Sequence, residues 1–382
     1  MSEWKKVKLG EICERVTSGG TPKANVSSYY NPPTIPWLKT KEVNYCRITE
    51  TENYISEEGL KNSSAKLISP NSVIIAMYGQ GDTAGRIAIN KIPLATNQAC
   101  CNLTIDKSKA DYEFIYYQLC TLYDKLVSLK AGAAQPNLNA RIIKNLEIIM
   151  PSLPIQHRIA SILSRYDSLI ENYQKQIKLL EEAAQRLYKE WFIDLHFPRH
   201  ENTNIIDGVP EGWEKKKVGD ITPIITGKKD ANFGTPDGEY PFFTCSQEPI
   251  KAPSFSFDCA AVLLAGNGDF NVKLYRGRFE AYQRTYVLSP YIDSHLYLLF
   301  YTISANMTKL AAGSSGSTIK FLTKGMIDGI NLNVPNDEIL RSFNKKVEPI
   351  QSSRESLQSQ LRLLTEARDR LLPKLMSGEI TI

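Results

Sequence analysis

The sequence lacks any apolar run long enough to cross a bilayer. Its longest runs, such as Ala260–Ala265, fall far short of the roughly 20 apolar residues that a membrane helix needs. Ser2, Glu3, Lys5 and Lys6 crowd the start of the chain, where a secretory signal would place an apolar core. We therefore expect a cytoplasmic protein with no membrane partner.

Paired metal ligands are scarce as well. None of the seven cysteines stands in a Cys-x-x-Cys pair, and only four histidines are present. His196 and His200 have the four-residue spacing of a zinc pair, but no second pair of ligands accompanies them. The sequence therefore predicts reduced, unligated cysteines and no metal site.

Recognisable catalytic motifs are also missing. The segment Asn31–Thr34 resembles the Asn-Pro-Pro-aromatic loop of amino-methyltransferases, but Thr34 stands where the stacking aromatic ring is needed. Neither glycine segment, at residues 79–86 and 226–229, has the Gly-Lys-Ser/Thr ending of a phosphate loop. The Pro-Asp pair at residues 236–237 is not followed by the Glu-x-Lys of a nuclease. We therefore predict that this chain is not an enzyme.

A strong excess of basic residues is absent. The net charge is +5, and residues 1–150 carry 18 Lys and Arg against 14 Asp and Glu. Residues 201–334 carry 13 against 14. A protein that held nucleic acid by overall charge would show a stronger basic excess. Binding of an anionic partner must therefore use local basic patches or charge supplied by other subunits.

The sequence does contain an internal repeat. Trp4–Ile12 (WKKVKLGEI) returns as Trp213–Ile221 (WEKKKVGDI). The glycine turn Tyr78–Asp82 (YGQGD) returns as Ala265–Asp269 (AGNGD), and both turns follow a β-type apolar run. Matches in the same order indicate two diverged copies of one unit.

The strongest match is helical, because Glu171–Tyr188 aligns without a gap to Glu355–Leu372. Apolar residues recur at alternating spacings of four and three, which is the heptad pattern of helices that pack along a seam. The first seam is Ile159, Leu163, Tyr166, Ile170, Tyr173, Ile177, Leu180, Ala184, Leu187 and Trp191. The second is Phe343, Val347, Ile350, Arg354, Leu357, Leu361, Leu364, Arg368, Leu371 and Leu375, with the two arginines as polar interruptions. We predict an antiparallel pair within the chain; packing on the helix's own domain, or on another chain, is the alternative.

The segments before the helices predict α+β domains. Short β-type runs separated by Gly, Pro, Asn and Asp turns accompany one helical stretch in each, at residues 113–129 and 294–310. The predicted order is a first α+β domain at residues 1–150, a first long helix at 151–200, a second α+β domain at 201–334 and a second long helix at 335–382.

Polar loops of both domains carry side chains that suit DNA. Arg and Lys fit the guanine edge, and Asn and Gln fit the adenine edge, in the major groove. The candidates of the first domain are Ser18, Thr21, Lys23, Lys39, Lys41, Gln80, Arg86, Asn97, Gln98, Gln135 and Asn137. Those of the second are Lys228, Lys229, Asn267, Lys273, Arg276, Arg278, Gln283, Arg284, Ser315 and Lys320. These residue types also occur in ordinary surface loops, but Gln98 and Gln283 stand out because both follow β-type runs.

Taken together, these segments resemble the specificity subunit of type I restriction-modification systems. The resemblance rests on WKKVKLGEI, SGGTP, YGQGDTAGRIAI, ATNQA and LEIIMPSLPIQHRIASIL with its heptads, and it covers nearly the whole chain. It implies two α+β target-recognition domains separated by two long antiparallel helices in a coiled coil. Each domain would read one half of a bipartite, asymmetric target in double-stranded DNA, and helix length would set the spacer between the halves.

The same resemblance implies partners that carry the chemistry. Two modification subunits would methylate adenine with S-adenosylmethionine, and restriction subunits would translocate DNA with ATP and magnesium, so this chain would need no cofactor. The helices would dock the modification subunits, with Tyr166, Tyr173, Tyr188 and Trp191 as candidate interface residues. These aromatic residues fill a gap between helix and domain in the alternative interpretation.

Two other functions remain open at this point. The first is a non-catalytic two-headed scaffold whose domains bind proteins. The second is a self-sufficient methyltransferase or nuclease, which would need a cofactor loop that the sequence does not show. Salt-sensitive, sequence-dependent DNA binding separates the leading interpretation from the scaffold.

Overall fold

The computed structural model describes residues 4–130, 137–314, 320–380 and 382. The chain forms two units, the first made of Met1–Asn172 with Gln360–Ile382 and the second of Tyr173–Ser359. Two DNA-binding candidates, Gln135 and Ser315, lie outside the described residues.

The first unit combines mostly antiparallel sheets, with the parallel pairs β3–β9 and β4–β8, and short helices, and then runs into a long helix. Its strands are β1 (Lys5–Lys8), β2 (Cys13–Ser18), β3 (Ile35–Leu38), β4 (Cys46–Ile48), β5 (Tyr54–Ile55), β6 (Leu67–Ile68), β7 (Val73–Ala76), β8 (Ile87–Asn90), β9 (Leu94–Thr96), β10 (Cys100–Ile105) and β11 (Glu147–Met150). Its helices are α1 (Glu57–Lys61), α2 (Tyr112–Cys120), α3 (Tyr123–Ser128), α4 (Ala140–Lys144) and the start of α5 (Leu153–Tyr188). The sheet orders in the described residues are β2-β10-β7-β8-β4, β5-β3-β9-β6 and β1-β11.

Strand β7 shows why the apolar runs are buried strands. It lies between β10 and β8, so both of its edges are hydrogen-bonded, and all four of its residues are buried. Val73 and Ile75 face the core that contains α2, whereas Ile74 and Ala76 belong to the core on the other side of the sheet. Alternate side chains of a strand point to opposite faces, so a strand covered on both faces must be apolar throughout.

The second unit repeats this architecture. Its strands are β12 (Ile205–Ile206), β13 (Val209–Pro210), β14 (Glu214–Lys217), β15 (Ile225–Thr226), β16 (Tyr240–Phe243), β17 (Ile250–Ala252), β18 (Phe257–Ala265), β19 (Val272–Ala281), β20 (Thr285–Leu288) and β21 (Asn331–Val334). Its helices, besides the end of α5 and a following π-helical turn (Lys189–Ile193), are α6 (Val218–Ile221), α7 (Leu296–Gly313), α8 (Lys324–Asp328) and the start of α9 (Asp337–Met376). The sheet orders in its described residues are β15-β20-β18-β19-β16-β17, β14-β21 and β12-β13. The predicted α+β class is confirmed in both units.

The predicted helical stretches differ between the units. Residues 294–310 fall largely in the single helix α7, whereas residues 113–129 are split into α2 and α3. The prediction of one helix in the first domain was therefore wrong. Helix α2 ends at its C-cap Thr121, whose hydroxyl donates to the Gln118 carbonyl (2.8 Å).

The duplication is visible in matching hydrogen bonds. Leu9 N donates to Leu146 O (2.9 Å) in the first unit, and Val218 N donates to Ile330 O (2.9 Å) in the second. Both bonds lie beside equivalent antiparallel pairs, β1 with β11 and β14 with β21, in which β11 and β21 are the last strands of their units. The internal repeat predicted from the Trp4 and Trp213 segments is confirmed.

The long helices run antiparallel in each unit. In the first unit Ile159 and Leu163, near the start of α5, share a core with Leu375 near the end of α9. In the second unit the end of α5, with Trp191, shares a core with Phe343 at the start of α9. Every predicted seam position is buried or half-buried. The periodicity therefore identified the packed faces correctly.

The polar interruptions of the seam have partners. In the first unit Arg368 Nη1 lies 2.8 Å from Asp167 Oδ1, and Asp167 Oδ2 lies 3.0 Å from Arg47 Nη1. Tyr117 OH also donates to Asp167 (2.6 Å). In the second unit Arg354 lies beside Glu181 at 3.6 Å. The two interruptions are thus parts of ion pairs.

Candidate DNA interface

Backbone hydrogen bonds tie the polar loops of the first unit together. Gly20 N donates to Thr96 O (2.8 Å), which joins the SGGTP loop to the ATNQA loop. Asn97 N donates to Leu38 O (3.0 Å), which adds the loop that carries Lys39. Three segments that are distant in sequence therefore meet where strands β2, β3 and β9 end.

Met77 connects two further segments to these loops. Met77 N donates to Ala99 O (2.7 Å), and Leu138 N donates to Met77 O (3.0 Å). The glycine turn and the segment after the undescribed residues 131–136 are thereby brought beside Gln98. We define the first loop cluster as residues 18–21, 38–39, 77–80, 96–99 and 137–138.

The second unit builds the same framework from different side chains. Tyr282 N donates to Phe243 O (3.0 Å), as Asn97 does to Leu38. Gly266 N donates to Arg284 O (2.8 Å), and Leu322 N donates to Gly266 O (2.8 Å), as Met77 and Leu138 do in the first unit. We define the second loop cluster as residues 226–230, 243–246, 266–267, 282–284 and 321–322.

Two equivalent glycines allow the loops to approach this closely. Gly19 N donates to Cys100 O (3.2 Å), and Gly227 N donates to Thr285 O (3.1 Å). A Cβ atom on Gly19 would stand 2.2 Å from the Asn97 carbonyl oxygen, and one on Gly227 would stand 1.9 Å from the Ala281 carbonyl oxygen. Any side chain at either position would force the loops apart.

The clusters gather many of the predicted DNA-binding residues. The first contains Ser18, Thr21, Lys39, Gln80, Asn97, Gln98 and Asn137, and the second contains Lys228, Lys229, Asn267, Gln283 and Arg284. Gln98 and Gln283 each follow the residue that bonds to Leu38 or Phe243, so they occupy equivalent positions. Lys23 and Lys320 lie exposed in segments next to the clusters.

Three predicted cations outside the clusters pair with carboxylates. Arg86 Nη2 lies 2.5 Å from Asp82, Arg278 lies 3.2 Å from Asp258, and Lys41 pairs with Glu52. The hydrogen bond that Arg86 donates to the Asp82 carboxylate is the main cause that raises the pKa of Arg86 above its ordinary value. Such exposed ion pairs contribute little to stability, so a phosphate or base edge can replace the carboxylate at little cost.

Two predicted cations of β19 are held within the unit. Lys273 Nζ donates to Ser246 O (2.7 Å) and to Asn271, and burial lowers the pKa of this lysine. Arg276 Nη2 donates to Tyr297 OH (2.8 Å) on α7, and Nη1 lies 3.8 Å from Glu348 on α9. Arg276 therefore joins β19 to the helices rather than to the loop cluster.

Sequence reasoning missed the polar partners of the candidates. Gln283 Nε2 donates to Asp230 Oδ1 (2.6 Å), and Cys245 Sγ donates to Asn267 Oδ1 (2.8 Å). Asp230 directly follows the Thr-Gly-Lys-Lys segment, so its place in that loop was a usable signal. Cys245 gave no signal, because its segment reaches the cluster only through the pairing of β16 with β19.

The four aromatic interface candidates divide into two pairs. Tyr188 and Trp191 are 5% and 4% exposed and belong to the core of the second unit. This agrees with the alternative interpretation, in which these rings fill the gap between helix and domain. The ring of Tyr188 stacks on that of Tyr301 with a centroid distance of 5.9 Å. Tyr166 and Tyr173 are half-buried, so part of each ring is available for contact with another chain.

Metal-ligating side chains are dispersed in the part of the chain that the structure describes. Among the described residues, no group of three or more His, Cys, Asp and Glu could hold a metal ion. His200 Nδ1 lies 2.9 Å from the Phe197 carbonyl oxygen, which places it against the backbone. No described helix has the length and apolar character required to traverse a membrane.

Comparison with known proteins gives one consistent family. The family model described as "Type I restriction modification DNA specificity domain" matches residues 1–182 and 210–353. The type I restriction enzyme MjaIX specificity subunit of Methanocaldococcus jannaschii is 27% identical, over 100% of this chain and 94% of the relative. The EcoDI specificity subunit of Escherichia coli is 36% identical, over 45% of this chain and 40% of the relative. The crystal structure of a type I restriction-modification S subunit from M. genitalium has the same fold, with a TM-score of 0.69, 17% identity and coverage of 98% and 96% of the two chains.

Proposed function

The chain belongs to the family of type I restriction-modification DNA specificity proteins, and on that premise we propose that each loop cluster reads one half of a bipartite, asymmetric DNA target. As a member of this family the chain is a DNA sequence-recognition subunit, and specificity subunits are not catalysts. The two clusters are the places where that recognition would occur.

One observation carries this proposal. The two clusters share a backbone framework but differ in its side chains, such as Asn97 against Tyr282 and the buried Ala99 against the exposed Arg284. Base edges are distinguished by the donors and acceptors that face them. Two equivalent frameworks with different side chains would therefore read two different half-sites.

The long helices would set the spacer between the half-sites. Helix α5 has 36 residues and α9 has 40, which corresponds to about 54 and 60 Å at 1.5 Å per residue. Half-sites read from one side of a duplex lie about 34 Å apart, or a multiple of that distance. Helices of this length are sufficient for that spacing.

Partner subunits would supply the chemistry. Specificity subunits of this family assemble with other restriction-modification subunits and DNA. We propose two modification subunits that use S-adenosylmethionine and restriction subunits that use ATP and magnesium, in the cytoplasm. The half-exposed rings of Tyr166 and Tyr173 on α5 are candidate contacts for a modification subunit.

An exchange of one domain tests the half-site assignment. Residues 201–334 are replaced by the corresponding segment of a relative, and the methylated sequence of the cells is determined with both chains. We expect the second half-site to change and the first to stay. A change in both halves, or in neither, would contradict the assignment.

Direct binding provides the second measurement. The complex with modification subunits should shift duplex DNA in a sequence-dependent manner, and the affinity should fall as salt rises because phosphate contacts release counterions. Absence of such a shift would instead favour the protein-binding scaffold.

A further inference from the structure

Gln98 and Gln283 occupy equivalent positions but have different side-chain partners. Gln98 Oε1 accepts from the hydroxyl of Thr21, whereas Gln283 Nε2 donates to the carboxylate of Asp230 at 2.6 Å. Both glutamines are exposed, so the rest of each amide is accessible to a ligand.

The two partners constrain the amide differently. A carboxylate only accepts hydrogen bonds, so the amide nitrogen of Gln283 must be the atom that faces Asp230. A hydroxyl both donates and accepts, so Thr21 can satisfy either orientation of the Gln98 amide. Asp230 therefore fixes an orientation that Thr21 leaves free.

The backbone beneath Gln283 is firmly held. Gln283 N donates to Lys229 O (2.9 Å), and Thr285 N donates to Tyr282 O (2.8 Å). Together with the Tyr282 and Arg284 contacts described above, these bonds secure the residues on both sides of Gln283. The backbone of Gln283 is therefore held by hydrogen bonds, and its side-chain amide is held by Asp230.

We propose that Asp230 is a positioning residue that orients Gln283 to read an adenine in the second half-site. This inference rests on the proposed function of the second loop cluster. With one N–H of Gln283 bound to Asp230, the amide retains its second N–H and its carbonyl oxygen. Adenine offers the matching pair in the major groove, N7 as acceptor and the N6 amino group as donor.

The fixed orientation of the Gln283 amide also disfavours guanine. Guanine presents two acceptors, N7 and O6, at the same edge. The carbonyl oxygen of Gln283 would face O6, and Asp230 prevents the amide from turning to relieve that contact. Discrimination between adenine and guanine would therefore depend on Asp230 as well as on Gln283.

The test uses the full-length chain in complex with its modification subunits. The target is first defined by methylome sequencing, and binding is then measured on duplexes in which each base pair of the second half-site is replaced in turn. We expect Gln283→Ala and Asp230→Asn to lose preference for adenine at the same single position. The expected loss is about five- to 150-fold in the affinity ratio, with the other positions unchanged.

Two further variants separate positioning from charge. Asp230→Glu keeps an acceptor-only partner and should restore part of the preference that Asp230→Asn loses. Asp237→Asn removes the same charge from an exposed position of the same unit and should alter affinity equally for all duplexes. If the effect of Asp230→Asn is equally uniform, Asp230 acts through charge and the inference is wrong.

Other outcomes also decide the question. Retention of every preference by Asp230→Asn would overturn the positioning role, and a non-adenine base at the Gln283 position would overturn the assignment of the base. If exchange of residues 201–334 changes the second half-site while both single variants leave it intact, the proposed function stands and this inference fails.

Discussion

At the scale of single residues, Asp167 is a buried carboxylate that joins two arginines in the first unit. Its side chain and that of Arg47 are each 8% exposed, and Arg368 and Tyr117 bind the same carboxylate. Asp167→Ala would leave the Arg47 guanidinium buried with reduced compensation. We expect a loss of about 3–5 kcal/mol in the free energy of unfolding, measured by urea titration. Asp167→Asn keeps an acceptor and should lose less.

Two variants in the same unit calibrate this expectation. Arg368→Ala should cost less than Asp167→Ala, because Arg368 is 26% exposed and Asp167 keeps Arg47 and Tyr117. Glu366→Ala removes an exposed helix pair with Arg362 and should change the stability by less than about 0.5 kcal/mol. If Asp167→Ala were no worse than Glu366→Ala, the buried network would contribute nothing to stability.

At the scale of elements, helix α9 offers a clear contrast between a buried seam position and an exposed position outside the seam. Phe343 is fully buried against Trp191 and Phe192, with ring centroids 5.9 and 4.7 Å away, whereas Leu363 on the same helix is 55% exposed. Phe343→Ala should lower the free energy of unfolding by about 3–5 kcal/mol. Leu363→Ala is the control and should change it by less than about 0.5 kcal/mol. Comparable losses in urea unfolding would mean that Phe343 does not anchor the seam.

The elements also show why some structure was predictable. The seams of α5 and α9 repeat every seven residues, so each added turn reinforces the same face and the pattern identifies it. The break between α2 and α3 falls at the C-cap Thr121, whose hydroxyl donates to the Gln118 carbonyl, within an otherwise helical pattern. Local chemistry of that kind leaves no periodic signal.

At the scale of the whole molecule, the candidate site was predictable only in part. Gln98 and Gln283 were identified as candidates because the repeat and the strands before them are local features of the sequence. The contacts of Arg276 with Tyr297 and Glu348 were not, because they depend on which helices cover β19. Residue type suggests a base contact for the two glutamines and for Arg276 alike. Only the tertiary structure shows that Arg276 contacts the helices.

The duplication also predicts that the two recognition domains can be damaged independently. Gly19→Ala would press a methyl group against the Asn97 carbonyl, and Gly227→Ala would do the same at Ala281. We expect each variant to weaken discrimination in one half-site only, the first for Gly19 and the second for Gly227, with roughly additive losses in the double variant. Duplex binding by the complex, with each half-site altered separately, measures this. Gly325→Ala meets no atom within 4 Å and is the control. If either single variant impaired both half-sites equally, the loop clusters would not be independent readers.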